Sequence, residues 1–177
     1  MSITKIYKKA EKEKGFTLVE MVIYVSFLAV FSVMVVSAVV TSMSAFVEFR
    51  LTRDINNSAT TIMERFVRDV RIAYDVDQTE STLSSHPGRL TLNTTDEFDN
   101  ATTTEFYIDS GRIAIKEGGV STGYLSSQNI EVDLLVFDVV SNSNTIAVTM
   151  RLQLSASRGS VQKIETFYST TILRGSY

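Results

Sequence analysis

Apolar residues follow three patterns along the chain, and each pattern predicts a different kind of element. From Phe16 to Val47 almost every residue is apolar, and Glu20 carries the only charge. Between residues 48 and 75 apolar residues recur every three or four positions, which is typical of an amphipathic helix. From residue 76 to the end they alternate with polar residues in short runs that turn residues separate, which is typical of β-strands. The order of patterns predicts a long helix followed by a β-rich domain.

The helix is predicted to run without a break from Phe16 to about Tyr74. No Gly or Pro occurs from Phe16 through His86, although the chain holds eight glycines. Its first half, residues 16–47, contains a 27-residue uncharged stretch from Met21 to Val47, longer than the roughly 20 residues that span a bilayer. We therefore expect residues 16–47 to be a transmembrane half and residues 48–75 to be an amphipathic half that packs against the domain that follows.

Two faces are predicted for the amphipathic half. Its outer face carries three arginines at helical spacing, Arg65, Arg68 and Arg71, which we interpret as a solvated edge, with a partner-binding patch as the alternative. The apolar face consists of residues three or four positions apart: Ile55, Ala59, Ile62, Phe66, Val70 and Ala73.

The region from residue 76 to 177 predicts one antiparallel sheet of about five to seven strands. Residues 105–108 and 112–115 flank Asp109-Ser110-Gly111 and predict a hairpin. Residues 130–140 are almost continuously apolar and predict a central strand that is covered on both sides. Residues 146–154 alternate strictly and predict a strand with one wet face, and residues 161–173 predict a last strand. The expected fold class is α+β, a long helix packed against an antiparallel head.

Charge is spread unevenly along the chain. Residues 1–15 hold five lysines against two glutamates, whereas the rest holds 12 basic and 18 acidic residues. Basic residues before an apolar segment predict that residues 1–15 stay in the cytoplasm. The acidic remainder offers no basic field for a nucleic acid. With no cysteine, disulfides and thiol chemistry are excluded.

Glu20 is the feature that an ordinary membrane anchor does not explain. A carboxylate in lipid costs at least about 2 to 3 kcal/mol on insertion scales. A secretory signal peptide cleaved after Ala38 is the competing interpretation, but signal h-regions are usually about 7 to 15 residues long and this apolar stretch is longer.

The residues around Glu20 resemble the processing signature of type IV prepilins and pseudopilins. Lys14-Gly15-Phe16-Thr17-Leu18-Val19-Glu20 supplies the basic leader, the glycine, the phenylalanine and a glutamate five residues after the cut. The resemblance implies that a prepilin peptidase cleaves between Gly15 and Phe16 and methylates the new amino terminus of Phe16. It also implies that Glu20 pairs with the terminal ammonium of a neighbouring subunit. The ending Thr171 to Gly175 is similar to that of larger minor pseudopilins, the J-type in particular.

Sequence motifs for catalysis or cofactor binding are not found. G-x-S-x-G, a P-loop and a dinucleotide fingerprint do not occur, and His86, in a Ser-Ser-His-Pro-Gly turn, has no partner at ligand spacing. Asp96, Glu97 and Asp99 form the one carboxylate cluster and are weak candidates for calcium ligands, with solvated loop charge the favoured interpretation. We therefore predict no enzyme, no cofactor and no metal.

Together these patterns predict a minor pilin or pseudopilin of a type IV pilus, a type II secretion pseudopilus or a DNA-uptake filament. Its expected partners are prepilin peptidase, other pilin or pseudopilin subunits and the lipid of the cytoplasmic membrane, with the head outside. The alternative is a single-pass membrane-anchored β-domain that binds a ligand or surface without entering a filament.

Overall fold

The structure of the chain is a computed structural model that describes residues 15–142 and 145–173. The predicted basic leader, apart from Gly15, lies outside the described residues, and so does the Arg174–Gly175 part of the C-terminal ending. The chain divides into two compact units, one comprising the residues up to Met43 and the other comprising Ser44–Tyr177.

One helix, α1, spans Leu18–Ile72 and confirms the predicted uninterrupted helix. Its ends lie two residues inside the predicted ones, which is the usual uncertainty of helix boundaries. Every residue from Met21 to Phe46 is exposed. This part of α1 is long and apolar enough, by length and composition, to cross a membrane.

Three hydroxyl side chains within the apolar part of α1 form hydrogen bonds to the helix itself. The hydroxyl groups of Ser26 and Ser32 each donate to the carbonyl four residues earlier at 2.8 Å, and Thr41 does so at 3.0 Å. A hydroxyl that bonds back to its own helix leaves no donor that needs water. These residues are therefore compatible with an apolar surrounding.

The described part of the second unit contains eight strands in two antiparallel sheets. The first sheet has five strands in the order β1-β2-β3-β4-β5 and the second has three in the order β6-β7-β8. Their bounds are β1 Asp75–Val76, β2 Leu90–Thr95, β3 Ala101–Asp109, β4 Arg112–Glu117, β5 Val120–Tyr124, β6 Glu131–Asn142, β7 Thr145–Arg158 and β8 Val161–Ile172. The class is thus α+β, but the prediction of a single sheet is wrong.

A single core joins the second half of α1 to both sheets. The ring of Phe66 meets Phe106 of β3 edge-on, with centroids 6.2 Å apart, and Phe137 of β6 in a stack at 6.1 Å. All three rings are fully buried. The predicted apolar stripe supplies the helical side of this core, since its five members in α1 and Ala73, directly after the helix, are all buried. One aromatic side chain therefore packs against a strand from each sheet.

The hairpin and the alternating strand were predicted correctly. β3 and β4 pair through Asp109↔Arg112 around Ser110-Gly111. In β7 the side chains of Val148, Met150, Leu152 and Leu154 are buried, as the alternation required.

The prediction that residues 130–140 form a central strand is wrong, because β6 lies at the edge of the three-stranded sheet. Its apolar run has another cause. A shift in its pairing with β7 between Val132 and Leu134 interrupts the alternation, and Val136 is buried as well as Leu135 and Phe137. Further along, Val140 is exposed.

Candidate functional site

The candidate site lies where α1 begins. Thr17 precedes the first helical residue, and its hydroxyl oxygen accepts a hydrogen bond from the backbone N–H of Glu20 at 3.3 Å. Its carbonyl oxygen accepts the bond from the N–H of Met21 at 3.1 Å. Thr17 is therefore the N-cap, and Glu20 occupies the third position of the helix. A carboxylate in the first turn is favoured by the helix dipole.

Tyr24 connects Glu20 to Phe16. Its hydroxyl donates to Oε1 of Glu20 at 3.3 Å, and its ring meets that of Phe16 edge-on with centroids 6.1 Å apart. Residues 20 and 24 lie one turn apart on the same face of the helix. The side chains of Phe16, Glu20 and Tyr24 thus form one small cluster, in which the carboxylate holds a defined position.

The peptide bond between Gly15 and Phe16 lies outside the helix. Gly15 and Phe16 have no regular secondary structure, and Phe16 is 71% exposed. A Cβ added at Gly15 would have no atom within 4 Å. Non-helical, uncrowded backbone is what a protease needs at the bond it cuts. The three predicted site residues therefore lie within one stretch of six residues, with the bond accessible and the carboxylate just inside the helix.

Sequence reasoning missed Thr17 and Tyr24. The signal for Thr17 was present, because Thr17-Leu18-Val19-Glu20 ahead of an apolar run matches the capping-box pattern. The position of Tyr24 four residues after Glu20 was a weaker signal, since tyrosines are common in membrane helices near the lipid surface.

The carboxylate cluster of residues 96–99 forms a self-contained turn after β2. Oδ1 of Asp96 accepts hydrogen bonds from the backbone N–H groups of Phe98 at 2.8 Å and Asn100 at 2.9 Å, and the Asn100 side chain donates to Oδ2 at 3.0 Å. The hydrogen bonds from Asn100 and Phe98 lower the pKa of the Asp96 carboxyl below its ordinary value. Within residues 15–142 and 145–173, the structure places no three His, Cys, Asp or Glu side chains so that they could hold a metal ion.

The arginine edge is only partly the solvated face that was predicted. Nε of Arg65 lies 2.6 Å from Oδ2 of Asp69, and its NH2 group binds Oε1 of Glu117 on β4. Burial raises the pKa of the Asp69 carboxyl despite the opposing hydrogen bond from Arg65. Arg65 therefore ties α1 to the five-stranded sheet, and for this residue the prediction is wrong. Arg68 is more than half exposed, in agreement with a solvated edge.

His86 has a structural partner. Its Nδ1 accepts a hydrogen bond from the backbone N–H of Leu135 at 3.1 Å. The single histidine thus closes the 84–88 turn against β6.

When the chain is compared with protein-family models, curated proteins and solved structures, nothing matches it significantly. The functional argument therefore depends on the residues and the geometry of the chain itself.

Proposed function

We propose that this chain is a minor pilin or pseudopilin, a structural and assembly subunit of a type IV filament system. The observation that carries the proposal is the position of Glu20. It is the one charge in an exposed apolar segment, it lies in the first helical turn, and an accessible Gly15–Phe16 bond precedes it.

Cleavage between Gly15 and Phe16 would give the lone carboxylate a partner of opposite charge. It creates an α-ammonium group on Phe16, four residues before Glu20, and removes the five lysines of the leader. In a low dielectric, an ammonium and a carboxylate that fail to meet remain as two unpaired charges at a high cost. The pair would therefore act less as a source of stability than as a device that sets the register between neighbouring subunits.

The rest of the chain fits the same role. The exposed apolar part of α1 would hold the subunit in the cytoplasmic membrane before assembly and pack against other pilin helices afterwards. The head would lie outside the membrane, joined through Arg65, Phe66 and the core around them. The partners are then prepilin peptidase and other filament subunits, and the pilin-like arrangement of helix and head belongs to this proposal.

The first test is processing. The full chain is co-expressed with and without a prepilin peptidase, and the intact mass is measured. We expect the loss of residues 1–15 and the gain of one methyl group only when the peptidase is present. A chain that stays whole, or one that is cut after Ala38, would contradict the proposal and would favour a membrane-anchored β-domain or a secreted one.

A second test separates the charge of Glu20 from its hydrogen bond. Glu20→Gln keeps a side-chain oxygen that can accept from Tyr24 but removes the charge, and Tyr24→Phe keeps the charge but removes the donor. We expect both variants to be cleaved, and only Glu20→Gln to lose incorporation beside partner subunits. Normal incorporation of Glu20→Gln, measured by pull-down of the assembled filament, would refute the role of the charge in register.

A further inference from the structure

The edge strands of the two sheets differ in how well they are protected from pairing with another strand. An exposed edge strand presents unpaired N–H and C=O groups to any other strand, so proteins shorten, bend or cover such edges. The five-stranded sheet ends in β1, which has two residues, and in β5, which has five residues and a shifted register with β4. Both of its edges are therefore poor templates for another strand.

The β6 edge of the three-stranded sheet is covered by the chain itself. Residues 84–88 run along it: the N–H of Ser84 donates to the carbonyl of Phe137 at 2.8 Å, and the N–H of Gly88 donates to that of Leu135 at 2.9 Å. The N–H of Leu135 is bound by His86. Gly88 is required there because a Cβ would lie 2.8 Å from the carbonyl oxygen of Leu135.

The β8 edge has none of these protections. β8 is 12 residues long, contains no Pro, and pairs with β7 over its whole length without a register shift. In the described part of the chain, β7 is the strand neighbour of β8 and no strand lies on its other side. The fold thus leaves one long, regular edge open.

The backbone direction of β8 shows which residues face that edge. The N–H of Leu173 donates to Ile146 of β7 at 2.9 Å, and hydrogen-bonded residues alternate along an antiparallel ladder. The odd-numbered residues of β8 therefore bond to β7. The even-numbered residues direct their N–H and C=O groups to the open edge.

After Gln162, the side chains at the five remaining even-numbered positions of β8 form a palindrome. They read Ile164, Thr166, Tyr168, Thr170 and Ile172, which is symmetric about Tyr168. All five are exposed, with Ile164, Tyr168 and Ile172 at 49%, 70% and 47%. The two threonines are positioned by β7, since Thr166 Oγ1 accepts from Gln153 at 3.2 Å and Thr170 Oγ1 lies 3.0 Å from that of Thr149.

We propose that the open edge of β8 binds the same edge of a second copy, antiparallel and about a twofold axis at Tyr168. In this register Ile164 faces Ile172 of the other copy, Thr166 faces Thr170, and Tyr168 faces itself. The register also brings together residues whose backbone groups point outward, which allows about ten backbone hydrogen bonds. A self-complementary patch is what a twofold contact requires.

The charges of β8 do not oppose this pairing. Lys163 and Glu165 would face Leu173 and Thr171 of the second copy, so no like charges meet. Within its own chain Lys163 lies 3.4 Å from Glu48 and 3.7 Å from Glu165, so its charge is already compensated.

The symmetry decides which copies can pair. The twofold axis of an antiparallel strand pair is perpendicular to the sheet, and the buried half of α1 packs against a face of that sheet through Phe66 and Phe137. A half-turn about this axis reverses the direction of the helix. The contact therefore joins copies in which the part of α1 from residue 44 to 72 runs in opposite directions, and copies in which this part runs in the same direction cannot form it. It does not depend on the processing proposed above.

Cysteine cross-linking of the full chain in detergent micelles tests the register, because the native chain has no cysteine. Paired residues across the axis have Cα atoms about 5.5 Å apart, within the range for a disulfide. We expect Tyr168→Cys to give a covalent dimer under mild oxidation. Thr166→Cys is the matched control, since its two copies would lie about 14 Å apart, and it should remain monomeric. Equal cross-linking of both variants would overturn the proposal.

The oligomeric state of the same preparation provides a second readout. We expect a dimer whose dissociation constant rises about fivefold in Tyr168→Lys, because two like charges would then lie directly opposite each other. Tyr168→Phe should retain the dimer. A monomer at every concentration, a dimer that Tyr168→Lys leaves unchanged, or growth into open-ended oligomers would each overturn the proposal.

Discussion

Two carboxylates named in the sequence analysis, Glu20 and the weak calcium-ligand candidate Asp96, differ in what surrounds them. Glu20 accepts one hydrogen bond from Tyr24 and lies at the start of an exposed apolar segment. Asp96 accepts four, all from the turn that it begins. A carboxylate that closes its own turn has a local structural role. A carboxylate in an apolar segment is stable only if a group of opposite charge, here one from outside the segment, pairs with it. Position in the sequence located both residues, and the hydrogen bonds separate their roles.

The lowered pKa of Asp96 predicts a pH dependence of stability. Because its pKa is lower in the folded chain, the stabilisation is complete above the unfolded value of about 3.9 and is lost as the pH falls through the folded value. We expect the free energy of unfolding of the native chain to fall more steeply than that of Asp96→Asn as the pH drops below about 4, because the asparagine keeps an acceptor but does not titrate. Urea denaturation in detergent at several pH values measures this, and identical pH profiles would contradict it.

Among the elements, the strands differ most from what local patterns predict. β7 obeys strict alternation because one of its faces is buried along most of its length. β6 does not, because its register shifts between Val132 and Leu134 and because the consecutive residues Leu135, Val136 and Phe137 are all buried. An edge strand can therefore carry the apolar run that usually indicates a central one. The contrast between the covered edge of β6 and the open edge of β8 is what supports the proposed twofold contact.

The helix shows the opposite behaviour, since its pattern predicted its structure well. The absence of Gly and Pro and the apolar stripe led to the correct element, with ends shifted by two residues. Arg65 was wrongly predicted to be solvated because it shares the helical spacing of Arg68 and Arg71 on the outer face. Its partner Glu117 lies 52 positions away in the sequence, a distance at which periodicity carries no information.

In the molecule as a whole, the second unit depends on one core that α1 shares with both sheets. Phe66 contacts Phe106 of one sheet and Phe137 of the other. Shared burial of this kind should make the two sheets unfold together, because neither can lose its helix without exposing the same aromatic cluster.

We expect Phe66→Ala to lower the free energy of unfolding by about 3 to 5 kcal/mol, the usual cost of removing a buried aromatic ring. Hydrogen exchange should accelerate together in β3 and β6. Phe98→Ala is the control, because this ring is 81% exposed, and its effect should stay within about 0.5 kcal/mol. Faster exchange in only one sheet would show that the two sheets are independent.

The sequence by itself determined the order of elements, the exposed apolar part of α1, the core stripe on its second half, and the position of Glu20 after Gly15-Phe16. These features depend on neighbours a few residues apart, and helical and strand periodicity record such neighbours directly. Only the tertiary structure decided how the strands divide into two sheets, which edge is covered and which is open, and that Arg65 joins helix to sheet. Those outcomes depend on contacts between distant segments, which local patterns do not encode. The palindrome in β8 combines the two kinds of information. The sequence shows the palindrome, but only the tertiary structure shows that its residues lie at an open sheet edge.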